Sequence, residues 1–89
     1  MNNEHIDDQE LTIDVTRYAS GSVHLKTWRN REGKLHRIGA PAEIGFYESG
    51  KRRTEFWYDN GVLSRNNAPA RIHYSECGEI IEQTMSRGQ

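Results

Sequence analysis

The chain has 89 residues, of which 34% are hydrophobic, and its mean hydropathy is -0.94. This size and composition allow only a thin core, which a single sheet, or a sheet that dimerises, fits better than a deep catalytic pocket does. One cysteine, Cys77, excludes an internal disulfide, and no apolar run approaches the roughly 20 residues of a membrane span. The N-terminus lacks the apolar stretch of a signal peptide, so we predict a cytoplasmic protein with no membrane partner.

Charge is distributed unevenly along the chain, although the net charge is only -1. Residues 26–73 hold ten lysines and arginines against five carboxylates, a balance of +5. The remaining residues hold two arginines against eight carboxylates, a balance of -6. A basic middle between acidic ends is either a polarity for binding or a way for a small protein to stay soluble.

The N-terminal part of the chain predicts an arm followed by one β-hairpin. Residues 1–10 are polar and acidic without periodicity, which is typical of a disordered arm. Residues 11–16 alternate apolar and polar side chains, the pattern of a strand with one buried face. Ser20-Gly21 predicts a turn, and residues 23–28 predict the returning strand.

Two further hairpins follow the same plan. Their strands are predicted over residues 42–48 and 51–58 for the second hairpin, and over residues 70–75 and 79–85 for the third. Asn60-Gly61 is a strong signal for a two-residue turn between them. Residues 86–89 are typical of a frayed tail, so a single domain is predicted over residues 11–85.

Two segments of the chain share one pattern of residues. The first contains Trp28, Gly33, Leu35, Arg37, Pro41, Ala42 and Ile44, and the second contains Trp57, Gly61, Leu63, Arg65, Pro69, Ala70 and Ile72. From the first glycine onward the offset is a constant 28 residues. A fixed period of this size predicts stacked repeats, each of which buries its apolar face on a neighbour. We therefore predict an all-β fold, an antiparallel meander of about six strands built from three tandem β-hairpin repeats.

The second copy also resembles a known repeat. It reads Trp57-Tyr58-x-Asn60-Gly61-x-Leu63-x-Arg65-x-x-x-Pro69-Ala70-x-Ile72-x-Tyr74. This pattern resembles the MORN-like β-hairpin repeats that occur in tandem in bacterial, phage and large-virus proteins, and the resemblance covers residues 28–78 well and residues 11–27 weakly. It implies contacts with partners through an extended sheet. The short array resembles a dedicated adaptor or inhibitor more than a long scaffold.

Patterns that would support catalysis or metal binding are weak. Cys77 lies near Glu76 and Glu79, which we expect to raise the pKa of its thiol and so to oppose activation. A pairing of Cys77 with His73 is the enzymatic alternative. The four histidines and the cysteine lack the spacings of zinc sites, and the glycines are placed for turns. We predict no catalytic residue, no metal and no cofactor.

Basic and aromatic residues mark the predicted binding site. Its residues are Lys51, Arg52, Arg53, Arg29, Arg31 and Tyr58. The leading hypothesis is a phage- or prophage-encoded module that binds a host protein, for example a defence-system component. The alternative is a small nucleic-acid-binding protein, since aromatic residues among basic ones are typical of single-strand binders. A homodimer formed through open sheet edges is a third hypothesis.

Two pairs of repeated side chains allow two interpretations each. Trp28 and Trp57 either pack between repeats or lie exposed as contact residues, and their periodicity favours packing. Arg37 and Arg65 either brace the loop before Pro-Ala by hydrogen bonds to backbone carbonyls or point outward. Their equivalent positions favour the bracing role.

Overall fold

A computed structural model of the chain describes residues 10–86. Apart from Glu10 and Ser86, the predicted arm and the predicted tail lie outside the described residues. Within the described range, no helix is long and apolar enough to cross a membrane.

Six strands form one antiparallel sheet in the order β1-β2-β3-β4-β7-β8. They are β1 (Thr12–Arg17), β2 (Val23–Arg29), β3 (Glu43–Phe46), β4 (Arg52–Phe56), β7 (Arg71–Tyr74) and β8 (Ile80–Thr84). The short strands β5 (Tyr58–Asp59) and β6 (Val62–Leu63) form a separate two-stranded sheet. The predicted all-β meander of three hairpins is confirmed.

The hairpin turns repeat the same geometry. Gly21, Gly50 and Gly78 have φ values of 98°, 98° and 93°, a region that favours glycine. The predicted Asn60-Gly61 turn is also confirmed, with φ values of 50° and 84° between β5 and β6. The strand predicted over residues 51–58 ends early, because the chain leaves the main sheet after Phe56 to enter this extra hairpin.

The two faces of the main sheet differ. Ile44 and Ile72 are buried on one face, and the segments between the main hairpins fold over it; we call it the loop-covered face. Val15 shares this face through the strand register, as the sequence predicts. Its side chain is nevertheless 42% exposed, because β1 is an edge strand. Leu25 and Phe56 lie on the other face, which we call the open face.

Large and small residues alternate in one row across the loop-covered face. The strand register gives the row as Ile13, Trp28, Ala42, Trp57, Ala70 and Met85. Ala42 and Ala70 are 0% exposed and Trp28 is 7% exposed. The predicted packing of tryptophans between repeats is confirmed for Trp28, whereas Trp57 is only half-buried.

Side-chain hydrogen bonds join each hairpin to the next. The Tyr18 hydroxyl donates to the Phe46 carbonyl at 2.7 Å, and the Tyr47 hydroxyl donates to the Tyr74 carbonyl at 2.7 Å. The covering segments are also joined, because the buried ring of His36 accepts a 3.0 Å hydrogen bond at Nδ1 from a backbone amide of the next repeat. Each repeat is therefore fixed to its neighbour at both ends of the sheet.

Candidate functional site

Two arginines at equivalent positions of the repeats stack on the two tryptophans. The Cζ atom of Arg37 lies 3.9 Å from the ring centroid of Trp28, and that of Arg65 lies 3.8 Å from the ring centroid of Trp57. Each guanidinium also donates from Nη1 to the proline carbonyl four residues later, at 3.2 Å and 3.1 Å respectively. The bracing role predicted for both arginines is confirmed.

The repeat spacing sets the distance between these arginines. Trp28 and Trp57 lie in one row with a single strand between them, so they are separated by two strand spacings, about 9–10 Å. Because each guanidinium lies over its own tryptophan ring, Arg37 and Arg65 have about the same separation. Burial, and then repulsion from Arg52, lowers the pKa of Arg37.

A groove of about 380 Å³ lies between the two covering segments. Arg37 and Ile38 line it from one segment, Arg65 lines it from the next, and Trp57 and Tyr58 line it from the chain between them. We call it the arginine groove. Ile38 is 66% exposed, so an apolar side chain is presented to solvent beside the two cations.

A third arginine extends this positive charge across the loop-covered face. Arg52 Nη1 donates to Glu55 Oε2 at 2.6 Å, and the Glu55 side chain is only 13% exposed. The pKa of Tyr74 is raised, first by burial and then by the Glu55 carboxylate, while Arg52 and Arg65 act in the opposite direction. The carboxylate of Glu55 is thus paired with Arg52, and both groups act on Tyr74.

Residues 51–53, predicted as one basic cluster, are split by the sheet. Lys51 is exposed in the turn, and Arg52 points to the loop-covered face, where it pairs with Glu55. Arg53 lines a hollow on the open face, with its Cζ 5.9 Å from the Tyr47 ring centroid. Alternation along a strand, together with the bulge at this point of β4, separates neighbouring side chains onto opposite faces.

The other predicted binding residues lie at the far end of the sheet. Arg29 donates to the Gly33 carbonyl at 3.0 Å, and Arg31 lies 3.8 Å from Glu10. Tyr58 lines the arginine groove. Along the strands this end is about 15–20 Å from residues 51–53, at 3.2–3.4 Å per residue. The six predicted residues therefore do not form a single site.

The open face carries a hollow of about 320 Å³ around Gly45. Leu25 and Phe56 are half-buried in its lining, and Arg71 lies with its Cζ 5.0 Å from the Phe56 ring centroid. Arg53 adds a second cation to the lining. The sequence missed Arg71, because only the register of β4 against β7 places it beside Phe56.

Charged and hydrogen-bonding groups also shape this hollow. Burial raises the pKa of Glu43, an effect that the nearby Arg29 opposes. The Thr54 hydroxyl accepts a 3.1 Å hydrogen bond from the Gly45 amide, and a Cβ atom at position 45 would lie 2.5 Å from that hydroxyl oxygen. The side chains of Thr54 and Leu25 therefore occupy the space above Gly45, and a side chain at position 45 would collide with Thr54.

Cys77 is exposed in the third turn, and the prediction for its thiol was wrong. Its pKa is lowered, mainly by a hydrogen bond with the Ser75 hydroxyl, whose oxygen lies 3.2 Å from Sγ, and next by the Glu79 backbone. The carboxylates of Glu76 and Glu79, from which a rise is predicted, are not among the causes that shift this pKa, and Lys51 also lowers it. Among residues 10–86, no three histidine, cysteine, aspartate or glutamate side chains are grouped so that they could hold a metal ion.

Comparisons with protein-family models, with curated proteins and with solved structures find no match for this chain. The function is therefore argued from the surfaces of the molecule. Two of them combine arginine with apolar side chains, which are half-buried in the hollow of the open face and include the exposed Ile38 in the arginine groove.

Proposed function

We propose that the chain is a non-enzymatic protein-interaction module whose open face binds a host protein. One observation carries the proposal: the half-buried side chains of Leu25 and Phe56 line a hollow in the middle of the open face, together with Arg53 and Arg71. Aromatic and arginine side chains are enriched where protein interfaces contribute most binding energy.

The charge pattern of the open face supports the same proposal. Asp14 and Glu82 lie on its two edge strands, whereas Arg53 and Arg71 lie on the central ones. The centre of the open face thus holds two arginines and the half-buried Glu43, and its borders are acidic. Such a pattern fixes orientation and selects against partners with the wrong charge distribution.

The arginine stacks favour a protein partner over nucleic acid. A single-strand binder needs aromatic faces that are free to stack on bases. The Trp28 ring is buried beneath Arg37, and the Trp57 ring carries Arg65. The chain's own guanidinium groups therefore occupy the rings that the nucleic-acid hypothesis would use.

The MORN-like resemblance adds the biological part of the proposal. It suggests a phage- or prophage-encoded protein that acts in the cytoplasm as an inhibitor or adaptor of a host component. The proposal assigns no catalytic residue and no cofactor to the chain.

The test reverses the two cations of the open face. Tagged wild-type chain and the variant Arg53→Glu/Arg71→Glu are used to capture bacterial proteins, and the bound species are identified. We expect the variant to lose the wild-type partner, while Lys51→Glu/Arg31→Glu, which has the same change in net charge, retains it. Equal loss of the partner in both variants would contradict the assignment to the open face. Sub-micromolar binding of a random oligonucleotide to the wild-type chain at physiological salt, abolished by Arg53→Glu/Arg71→Glu, would also contradict it.

A further inference from the structure

We propose that the arginine groove is a second binding site, which takes an acidic helical segment of a partner protein. The ligand class is a pair of carboxylates about 10 Å apart, with an apolar side chain between them. Arg37 and Arg65 bind the carboxylates, and the apolar side chain lies against Ile38 and Trp57. This site lies on the face opposite the open-face hollow, so the proposal can be tested independently of binding at the open face.

The side chains of Arg37 and Arg65 are already fixed in position in the absence of a ligand. Each guanidinium is fixed by a tryptophan ring and by one hydrogen bond to a backbone carbonyl. A guanidinium has five N–H donors, and among residues 10–86 neither the guanidinium of Arg37 nor that of Arg65 has a second hydrogen-bond acceptor. The remaining donors form the planar fork that matches a carboxylate, and little side-chain entropy is left to lose on binding.

The charge around the groove is not balanced from within. Arg37 and Arg65 line the groove, and Arg52 acts on Arg37, whereas the carboxylate of Glu55 is already paired with Arg52. Asp59, the carboxylate in the groove lining, lies 3.4 Å from His36. An incoming anion would therefore offset the positive charge of Arg37 and Arg65. Burial is the main cause that lowers the pKa of Arg37, and repulsion from Arg52 is the second.

The separation of the arginines selects the shape of the segment. Residues seven apart on an α-helix lie on one face and about 10.5 Å apart, close to the 9–10 Å between Arg37 and Arg65. Same-face residues of a β-strand are about 6.6 Å apart, and helical residues four apart are about 6 Å apart. A helix with glutamates at positions i and i+7 and leucine at i+4 thus fits both arginines and the apolar lining.

The test uses three helical peptides and the full chain. The first has glutamates at i and i+7 with leucine at i+4, the second has its glutamates at i and i+4, and the third replaces both glutamates by glutamine. We expect the first to bind most tightly, and Arg37→Lys and Arg65→Lys to weaken its binding about tenfold or more, because lysine keeps the charge but loses the fork. Lys51→Gln, a charge change in the distant turn, should leave binding unchanged.

A measurement on the wild-type chain makes the test independent of variant folding. Nuclear magnetic resonance should place the peptide-induced shifts at the amides of Gly39, Ser64 and Asn66, which line the groove. Shifts centred on Gly45 and Thr54, equal binding of all three peptides, or unchanged binding in both lysine variants would each overturn the proposal. An oligonucleotide that binds more tightly than the first peptide and depends on the same arginines would also overturn it.

Discussion

The hydroxyl of Tyr47 donates a 2.7 Å hydrogen bond to the backbone carbonyl of Tyr74. This bond ties the second hairpin to the third, and the bond from Tyr18 to Phe46 ties the first to the second in the same way. In the third hairpin, Ser75 occupies the position of the donor tyrosine. The tyrosine is therefore a residue of the junction between repeats and not of the hairpin itself.

Tyr47→Phe should lower the free energy of unfolding by about 0.5–1.5 kcal/mol, the usual net value of one hydrogen bond. Urea titration followed by circular dichroism measures the change. Tyr58→Phe is the matched control, because the Tyr58 hydroxyl makes no hydrogen bond among the described residues. An equal loss in both variants would show that the junction bond contributes nothing specific.

Trp57→Phe should be far milder than Trp57→Ala. Deleting a large aromatic side chain costs about 3–5 kcal/mol. The indole Nε1 of Trp57 is buried without a hydrogen-bond partner among residues 10–86, which itself costs about 1–3 kcal/mol. Phenylalanine keeps a ring for Arg65 and removes the unpaired N–H, so we expect a loss of about 1 kcal/mol or less. Thermal unfolding compares the two variants, and a phenylalanine variant as unstable as the alanine variant would refute this account.

Gly45→Ala should destabilise the sheet by about 1–3 kcal/mol, the usual cost of an overpacked position. The new Cβ would lie 2.5 Å from the Thr54 hydroxyl oxygen. The Thr54→Ala variant lacks that oxygen. In this background, the loss of stability caused by Gly45→Ala should therefore be only a fraction of the loss that it causes in the wild-type chain. A double-mutant cycle measured by urea unfolding gives the coupling. Simple additivity would mean that the contact does not matter.

Cys77 should react with iodoacetamide at a lower pH than an ordinary thiol. Hydrogen bonds from Ser75 and the Glu79 backbone lower its pKa, so the reactive thiolate is present at lower pH. Ser75→Ala removes the largest of these causes and should move the midpoint of the pH–rate profile upward. Glu76→Gln serves as the control. A larger shift of the pH–rate midpoint in that variant than in Ser75→Ala would mean that the carboxylate has the larger effect on the pKa of the thiol.

The sequence predicts the fold well because repeated turn residues leave few alternatives. Glycines 29 and 28 residues apart mark the three main hairpins, and Asn60-Gly61 marks the extra one. Strand ends are less predictable, since Phe56 and Trp57 look continuous in sequence while the chain leaves the main sheet between them. The prediction that Val15 lies on a buried face fails for a related reason. Whether β1 is an edge strand depends on the arrangement of the whole sheet, and Val15 is exposed there.

The candidate sites are less accessible to sequence reasoning. Lys51, Arg52 and Arg53 are adjacent in sequence, yet a bulge and strand alternation divide them between the turn and two faces. Arg71 joins Phe56 only through strand pairing. Arg37 and Arg65 were visible as repeated residues, but their stacking on the tryptophans depends on how the covering segments fold back.

The alternating row of tryptophan and alanine makes the chain modular in length. Every interior junction uses the same pair of residues, whereas Ile13 and Met85 stand in the row at the two edge strands. A tandem duplication of residues 42–69, one period of 28 residues, would place a new alanine against Trp57 and a new tryptophan against Ala70. Such an insertion should lengthen the sheet by two strands, add one more arginine-bearing groove at the same spacing, and leave both edges unchanged.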